Sequence, residues 1–260
     1  MGTEARWWRS TGAWLCHLLA PPTQPHHEQR RLVNSANHLI DAITSRPEFK
    51  QGLEAGPKGL DRLQEAMRMG SLALDAEMRS LPAIKSNEDH SGTTAVFALV
   101  TPTHLIVGNI GDSRCVMSRA GKAVAMSYDH KPTNPPEQAR IEAANGTVTL
   151  SRVNGDLAVS RALGDYSYKQ MAHLPAEAQQ VSAEPEFQVQ ERTSDDQFLI
   201  LCCDGIWDVM TNDDVVSFYI QKEQGGGNLK QSCGDLLDSC LDRKSRDNMT
   251  TLGVRLGGKL

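Results

Sequence analysis

No stretch of the 260-residue sequence approaches the roughly 18 consecutive apolar residues that a membrane-crossing helix needs, so no membrane association is expected. Nor is there a basic excess. The 27 Lys and Arg stand against 32 Asp and Glu, a net charge of −5, which argues against a general nucleic-acid binder with its basic stripe and high isoelectric point. Cysteine is scarce as well: six are too few for a stapled secreted scaffold, and Cys202 and Cys203 adjoin inside an apolar run where small buried thiols belong. A reducing compartment, cytoplasmic or nuclear, follows as the expectation. Internal repeats are missing too. What remains, with 39% hydrophobic and 23% charged residues, is a chain long enough to bury a sizeable core without staples.

The first 29 residues read differently from the rest. They hold Trp7, Trp8 and Trp14, then Pro21, Pro22, Pro25 and the pair His26-His27. Arg6 and Arg9 before an apolar patch from Ala13 to Ala20 have some likeness to a signal peptide, but His17 interrupts the patch and no small-x-small cleavage site follows. Residues 1–29 are therefore expected to be a low-order or peripheral extension, with the folded domain over 30–260. A histidine pair beside prolines reads as solvated loop, not as a metal site.

From Glu28 onward the pattern is that of ordered protein. Leu32, Val33, Ala36, Leu39, Ile40 and Ile43 repeat at helical spacing and predict a helix ending before Pro47. Leu60, Leu63, Met67, Leu74 and Met78 predict a second, stopped by Pro82. Strands are expected over Thr93–Val100 and Leu105–Ile110, and a hairpin joins Cys115–Ser118 to Ala123–Ser127. Glu137–Ala144 reads as a short helix capped by Asn145-Gly146. Phe198–Cys203 is an apolar strand, Asp213–Gln221 and Leu229–Leu241 are helices, and Thr250–Leu256 alternates as a last strand. Hairpin-joined strands with helices added in pairs predict α+β layers, not a doubly wound parallel sheet.

The chemistry gathers at strand ends. Phe198–Cys203 runs into Asp204-Gly-Ile-Trp-Asp208; Asp112 follows the strand 105–110; Asp247 and Asn248 precede the last strand. Gly205 frees the backbone to turn there. Singly, each aspartate is a turn or cap, and Asp112 has Arg114 nearby as a possible ion-pair partner. Three such carboxylates at one rim would repel one another unless a cation sits between them, and hard oxygen donors suit Mg²⁺ or Mn²⁺.

The ordered string Gly92-Thr-Thr-Ala95, Gly108-Asn-Ile-Gly-Asp-Ser-Arg114, Asp129-His-Lys-Pro132, Glu137-x-x-Arg140-Ile141 to Gly146, Arg152 to Asp165, Asp204 to Asp208 and Ser245-Arg-Asp-Asn-Met249 resembles the PPM family, the metal-dependent type 2C serine/threonine protein phosphatases, in its eukaryotic alpha/beta branch. The resemblance implies an α-β-β-α sandwich, two antiparallel sheets flanked by helices, with a binuclear metal centre where the sheets meet. It implies that Asp204 and Asp247 ligate a first Mg²⁺ or Mn²⁺, that Asp112 and Asp208 join Asp204 around a weaker one, and that Asn248 and Gly205 support them. Phosphorylated proteins are the implied substrates of a monomeric enzyme. Arg152, Arg161 and Asp165 read as structural, a buried Arg–Asp pair bracing loops beside the site, and His130 as part of a family turn.

The sequence departs from the family at its start. The phosphate-gripping arginine, the acidic pair after it and the Asp-Gly-His segment with the bridging aspartate and the proposed general acid have no counterpart, since the sole Asp-Gly is Asp204-Gly205. The catalytic acid is therefore unassigned, and the N-terminal part of the sheets is expected to be missing or replaced by residues 1–29. Two readings follow: a phosphatase whose N-terminal motifs the gene model or splice form omits, and a pseudophosphatase acting as a binding or regulatory module.

Overall fold

Strands that are apolar at every position rather than at alternate ones set the architecture, because such strands must be covered on both faces. The computed structural model describes residues 6–10, 13–19 and 38–257. In chain order the strands are β1 (Arg6–Ser10), β2 (Ala13–Leu19), β3 (Gly92–Thr93), β4 (Ala95–Val100), β5 (His104–Ile110), β6 (Arg114–Arg119), β7 (Lys122–Ala125), β8 (Val148–Thr149), β9 (Arg152–Val153), β10 (Leu163–Gly164), β11 (Glu186–Glu191), β12 (Asp196–Cys202) and β13 (Thr251–Arg255). The helices are α1 (Leu39–Thr44), α2 (Pro47–Glu54), α3 (Leu60–Met78), α4 (Pro82–Lys85), α5 (Pro135–Ala143), α6 (Asp204–Trp207), α7 (Asn212–Gln224) and α8 (Leu229–Asp242).

A five-stranded sheet, ordered β1-β2-β4-β5-β11, lies against a four-stranded one, ordered β13-β12-β6-β7, and their named pairings are antiparallel. The period of two along each strand sorts side chains between layers. Val96, Ala98 and Val100 of β4 meet Leu199 and Leu201 of β12 in the space between the sheets. The alternate residues Ala95, Phe97 and Leu99 face α1, α2 and α3, where Leu63, Met67, Leu74 and Met78 supply the apolar stripe. On the far side Phe198, Ile200 and Cys202 face Val215, Val216 and Tyr219 of α7 and Leu236 of α8. The expected α-β-β-α sandwich of α+β class is the observed one.

Two findings differ from the sequence reading. Pro47 does not merely end a helix. It stands at the first turn of α2, where its missing N–H costs nothing. At the N-terminus, the sequence reading makes residues 1–29 peripheral or of low order, with that part of the sheets missing or replaced by them. Replacement is what the described residues 6–10 and 13–19 show, as an edge hairpin rather than a low-order extension: Trp14 to Leu19 pair with Val100 to Ala95, and β1 pairs with β2. The physical reason is the edge of β4, which would otherwise leave a row of backbone donors and acceptors unpaired. Of the first helix read from sequence, Leu32, Val33 and Ala36 lie outside the described residues. Among the described residues no helix is long and apolar enough to cross a membrane.

The sheet-to-sheet core gives a direct test. Leu201 is fully buried there, so Leu201→Ala should destabilise the fold by about 2–5 kcal/mol. A urea titration should read this as a lower midpoint at unchanged slope.

Candidate metal centre

The strand register brings the expected aspartates to one rim. Cys202 of β12 pairs with Arg114 of β6 on one side and Thr251 of β13 on the other. Asp112 lies two residues before Arg114, Asp204 two after Cys202, and Asp247 four before Thr251, so all three leave the same end of adjacent strands. Asp112, Asp204, Asp247 and Asn248 then line one cavity of about 600 Å³. Asp208, a helical turn after Asp204, opens onto the neighbouring groove with Arg114 and Trp207.

Two glycines make room at this rim, Gly111 by its turn and Gly205 by the close approach of a neighbouring segment. Gly111 sits at φ +109°, and a Cβ there would lie 2.3 Å from the Thr94 side chain. At Gly205 an added Cβ would stand 2.5 Å from the Asn248 carbonyl. The Asp247-Asn248 segment is drawn in by Cys203, whose thiol donates to the Asn248 carbonyl (3.3 Å) and accepts from Thr250 N–H (3.1 Å). Ser245 Oγ donates to the Gly205 carbonyl at 2.7 Å. Asn248 thus supports the site through its main chain.

Three consecutive residues clamp the Asp112 loop. Asp129 takes both Nε and Nη2 of Arg114 at 2.8 and 3.0 Å, and Arg114 also stacks on Trp207 with 5.0 Å to the ring centroid. His130 is buried; its Nδ1 accepts from Gly111 N–H at 3.1 Å and its Nε2 meets Glu186 at 3.2 Å. Lys131 Nζ donates to Asp112 Oδ2 at 2.6 Å. Arg114, the possible partner of Asp112 in sequence, is committed to Asp129, and Lys131 takes its place. His130 is a scaffold residue.

The electrostatics are those of crowded carboxylates. Burial first, then the charges of Asp112, Asp247 and Asp208, push the Asp204 carboxyl up to about 6. Burial also raises Asp208; Lys131 opposes this, while Asp247, Asp112 and Asp129 add to it. The donors are hard oxygens and match Mg²⁺ or Mn²⁺ in chemistry. Among the described residues no group of three or more His, Cys, Asp or Glu is set to hold a metal ion. An ion that keeps most of its waters needs only one or two carboxylates. Glu4 and the pair His26-His27 lie outside the described residues.

The stretch read as a buried Arg–Asp pair is built otherwise. Arg161 binds Glu137, with Nη2 to Oε1 at 2.7 Å, and not Asp165. Arg140 Nη1 at 2.8 Å and Ser160 Oγ at 2.5 Å complete the shell around that buried glutamate. The reason is reach: the Glu137 carboxylate lies within contact of both guanidiniums. Asp165 instead sits in the left-handed region at φ 51° with its carboxylate against the Gly92 Cα, where a Cβ would meet Oδ2 at 1.9 Å. Burial is the main force lifting its pKa to about 6. Arg152 is exposed and lines the same cavity as Asp204. The sequence reading misses Lys131 and the Arg114–Asp129 clamp, although Asp129-His-Lys-Pro132 is the signal for both.

A fold of this layering with strand-end aspartates at one rim is that of a type 2C protein phosphatase. The protein phosphatase 2C family pattern matches residues 25–249, and the chain belongs to that family. Protein phosphatase 1B of Mus musculus is 40% identical over 232 residues, which cover 88% of this chain and 60% of that protein. Protein phosphatase 1A of Homo sapiens is 43% identical over 216 residues, covering 83% and 56%. The chain thus spans 56–60% of the length of these two relatives. A serine-threonine phosphatase 2C from Toxoplasma gondii shares the fold, with a TM-score of 0.78 over 94% of this chain and 85% of that one at 22% identity.

Glu137 supplies the pH test. Burial works to raise its carboxyl, but Arg161, Arg140 and Ser160 hold it at about 2 against an ordinary 4.5. A depressed carboxylate stabilises the fold above its unfolded pKa and ceases to do so as pH falls through the folded value. Thermal melts should therefore show Glu137→Gln less stable than the parent at pH 7 by on the order of 2 kcal/mol. The two should converge between pH 4.5 and 2, where the parent alone loses stability.

Proposed function

We propose that the chain is a metal-dependent protein serine/threonine phosphatase that hydrolyses phosphoserine and phosphothreonine in protein substrates with Mg²⁺ or Mn²⁺. The observation that carries this reading is the Asp204 carboxyl, pushed to about 6 by burial and three neighbouring aspartates beside a cavity of about 600 Å³. Asp204 and Asp247 would hold the first cation, and Asp112 and Asp208 would join Asp204 around a weaker one. A divalent ion held by these aspartates would supply the Lewis-acid chemistry of the reaction, positive charge toward the phosphate oxygens and a more acidic water. The chain's own contribution is placement. Gly111 turns the chain before Asp112, Gly205 lets the Asn248 backbone approach, Cys203 holds the Asn248–Thr250 backbone beside Asp204, and the walls carrying Arg152 and Thr94 bound the space for the phosphorylated side chain.

One observation favours a second reading, a pseudophosphatase acting as a binding or regulatory module. The sequence contains no Asp-Gly-His, its one Asp-Gly being Asp204-Gly205, so no residue is assigned as general acid or as a ligand bridging two ions.

Hydrolysis of a phosphothreonine peptide in Mn²⁺, with and without EDTA, separates the two. The phosphatase reading expects turnover that EDTA and Asp204→Asn abolish. Mn²⁺ should also raise the melting temperature by a few degrees with a single-site profile, since ten times Kd stabilises by roughly 1.4 kcal/mol. In Asp204→Asn that rise should vanish, while the metal-free protein melts higher because one repelling charge is gone. Retained Mn²⁺ binding without turnover would establish the binding module.

A further inference from the structure

The lysine inside the carboxylate cluster has no part in the reading above. Lys131 reaches in from solvent: its side chain is 41% exposed, whereas that of its partner Asp112 is 7% exposed. Its Nζ donates to Asp112 Oδ2 at 2.6 Å. Asp129, the other carboxylate close by, has both oxygens on Arg114 and leaves the ammonium to Asp112. The lysine also acts beyond that contact. Its positive charge lies near enough to bear on Asp204 and Asp208 as well.

We propose that Lys131 is the resident cation of the cluster, neutralising Asp112 in the metal-free protein and competing with a divalent ion for that carboxylate. The inference rests on the metal-centre reading. It makes Lys131 a positioning residue that sets cation affinity at the Asp112 corner. An ammonium on a flexible four-carbon stem that reaches solvent can swing away when a dication arrives, whereas a buried guanidinium such as that of Arg161 cannot.

Calorimetric titration with MnCl₂ tests it on the parent, Lys131→Met, Asp112→Asn and the double variant, alongside metal-free melting temperatures. Removing one opposite charge in contact with a carboxylate should tighten Mn²⁺ binding about tenfold in Lys131→Met and lower its metal-free melting temperature. Both effects should disappear when Lys131→Met is made in the Asp112→Asn background. Equal affinities in parent and Lys131→Met, or a difference that persists without Asp112, would overturn the proposal. If the parent binds no Mn²⁺, the metal-centre reading fails, and the melting temperatures alone decide: a loss that requires Asp112 supports the resident cation, and no loss refutes it. Should Lys131→Met fail to fold, Lys131→Gln carries the same expectations.

Discussion

Like-charge repulsion at the shared end of two sheets is the constraint around which this molecule is organised. Asp112, Asp204 and Asp247 leave adjacent strand ends, Asp208 follows a helical turn after Asp204, and their negative charges bear on one another. The lifted Asp204 pKa expresses burial first and then the charges of Asp112, Asp247 and Asp208. Everything else at that rim holds the carboxylates in place despite it. Much of the holding is done through the main chain: His130 on the Gly111 amide, Cys203 on the Asn248–Thr250 backbone, Ser245 on the Gly205 carbonyl. Such contacts fix position without cancelling charge, and among the described residues Lys131 alone supplies a positive charge in contact with the four aspartates, at Asp112.

The core supplies the stability that this arrangement costs. β4 and β12 are buried on both faces, one facing the other sheet and one facing helices, which gives each strand about twice the buried apolar area of a half-exposed one. Because β12 is central, with β6 and β13 on its two sides, its C-terminal end is rigidly placed. Asp204 therefore projects from a strand end that is anchored on both sides.

Much of this is legible in the residues. Continuous apolar runs at 95–100 and 198–203 announce strands covered on both faces, and Asn145-Gly146 and Asp204-Gly205 announce turns by their backbone chemistry. The seven motifs in order make the family and its aspartates readable. What escapes are features that depend on non-local pairing. β11 (Glu186–Glu191), polar at most positions, gains its strand identity only by pairing with β5. Residues 6–19 carry no strong signal of their own, and their place comes from the edge of β4. Ion-pair partners escape for the same reason: Arg114 with Asp112, and Arg161 with Asp165, are close in sequence, whereas the actual partners Asp129 and Glu137 are brought in by the fold. Proximity along the chain is a poor guide once loops reverse direction at a residue such as Gly111.

The two acidic sites show how environment separates structural from functional carboxylates. Glu137 is buried, but two guanidiniums and a hydroxyl saturate its oxygens, and its pKa falls to about 2. Such a group is locked, and its lone pairs have nothing left to bind. Asp204 has the opposite surroundings: partial burial, three like charges, and a lysine charge that reaches it across Asp112. A pKa displaced upward in a cavity wall marks unmet demand for positive charge, and that demand is what a ligand can satisfy. Burial works in the same direction on both. The sign of the neighbours decides the role, which is why a sequence rich in aspartates becomes a candidate metal centre only where the fold withholds the arginines.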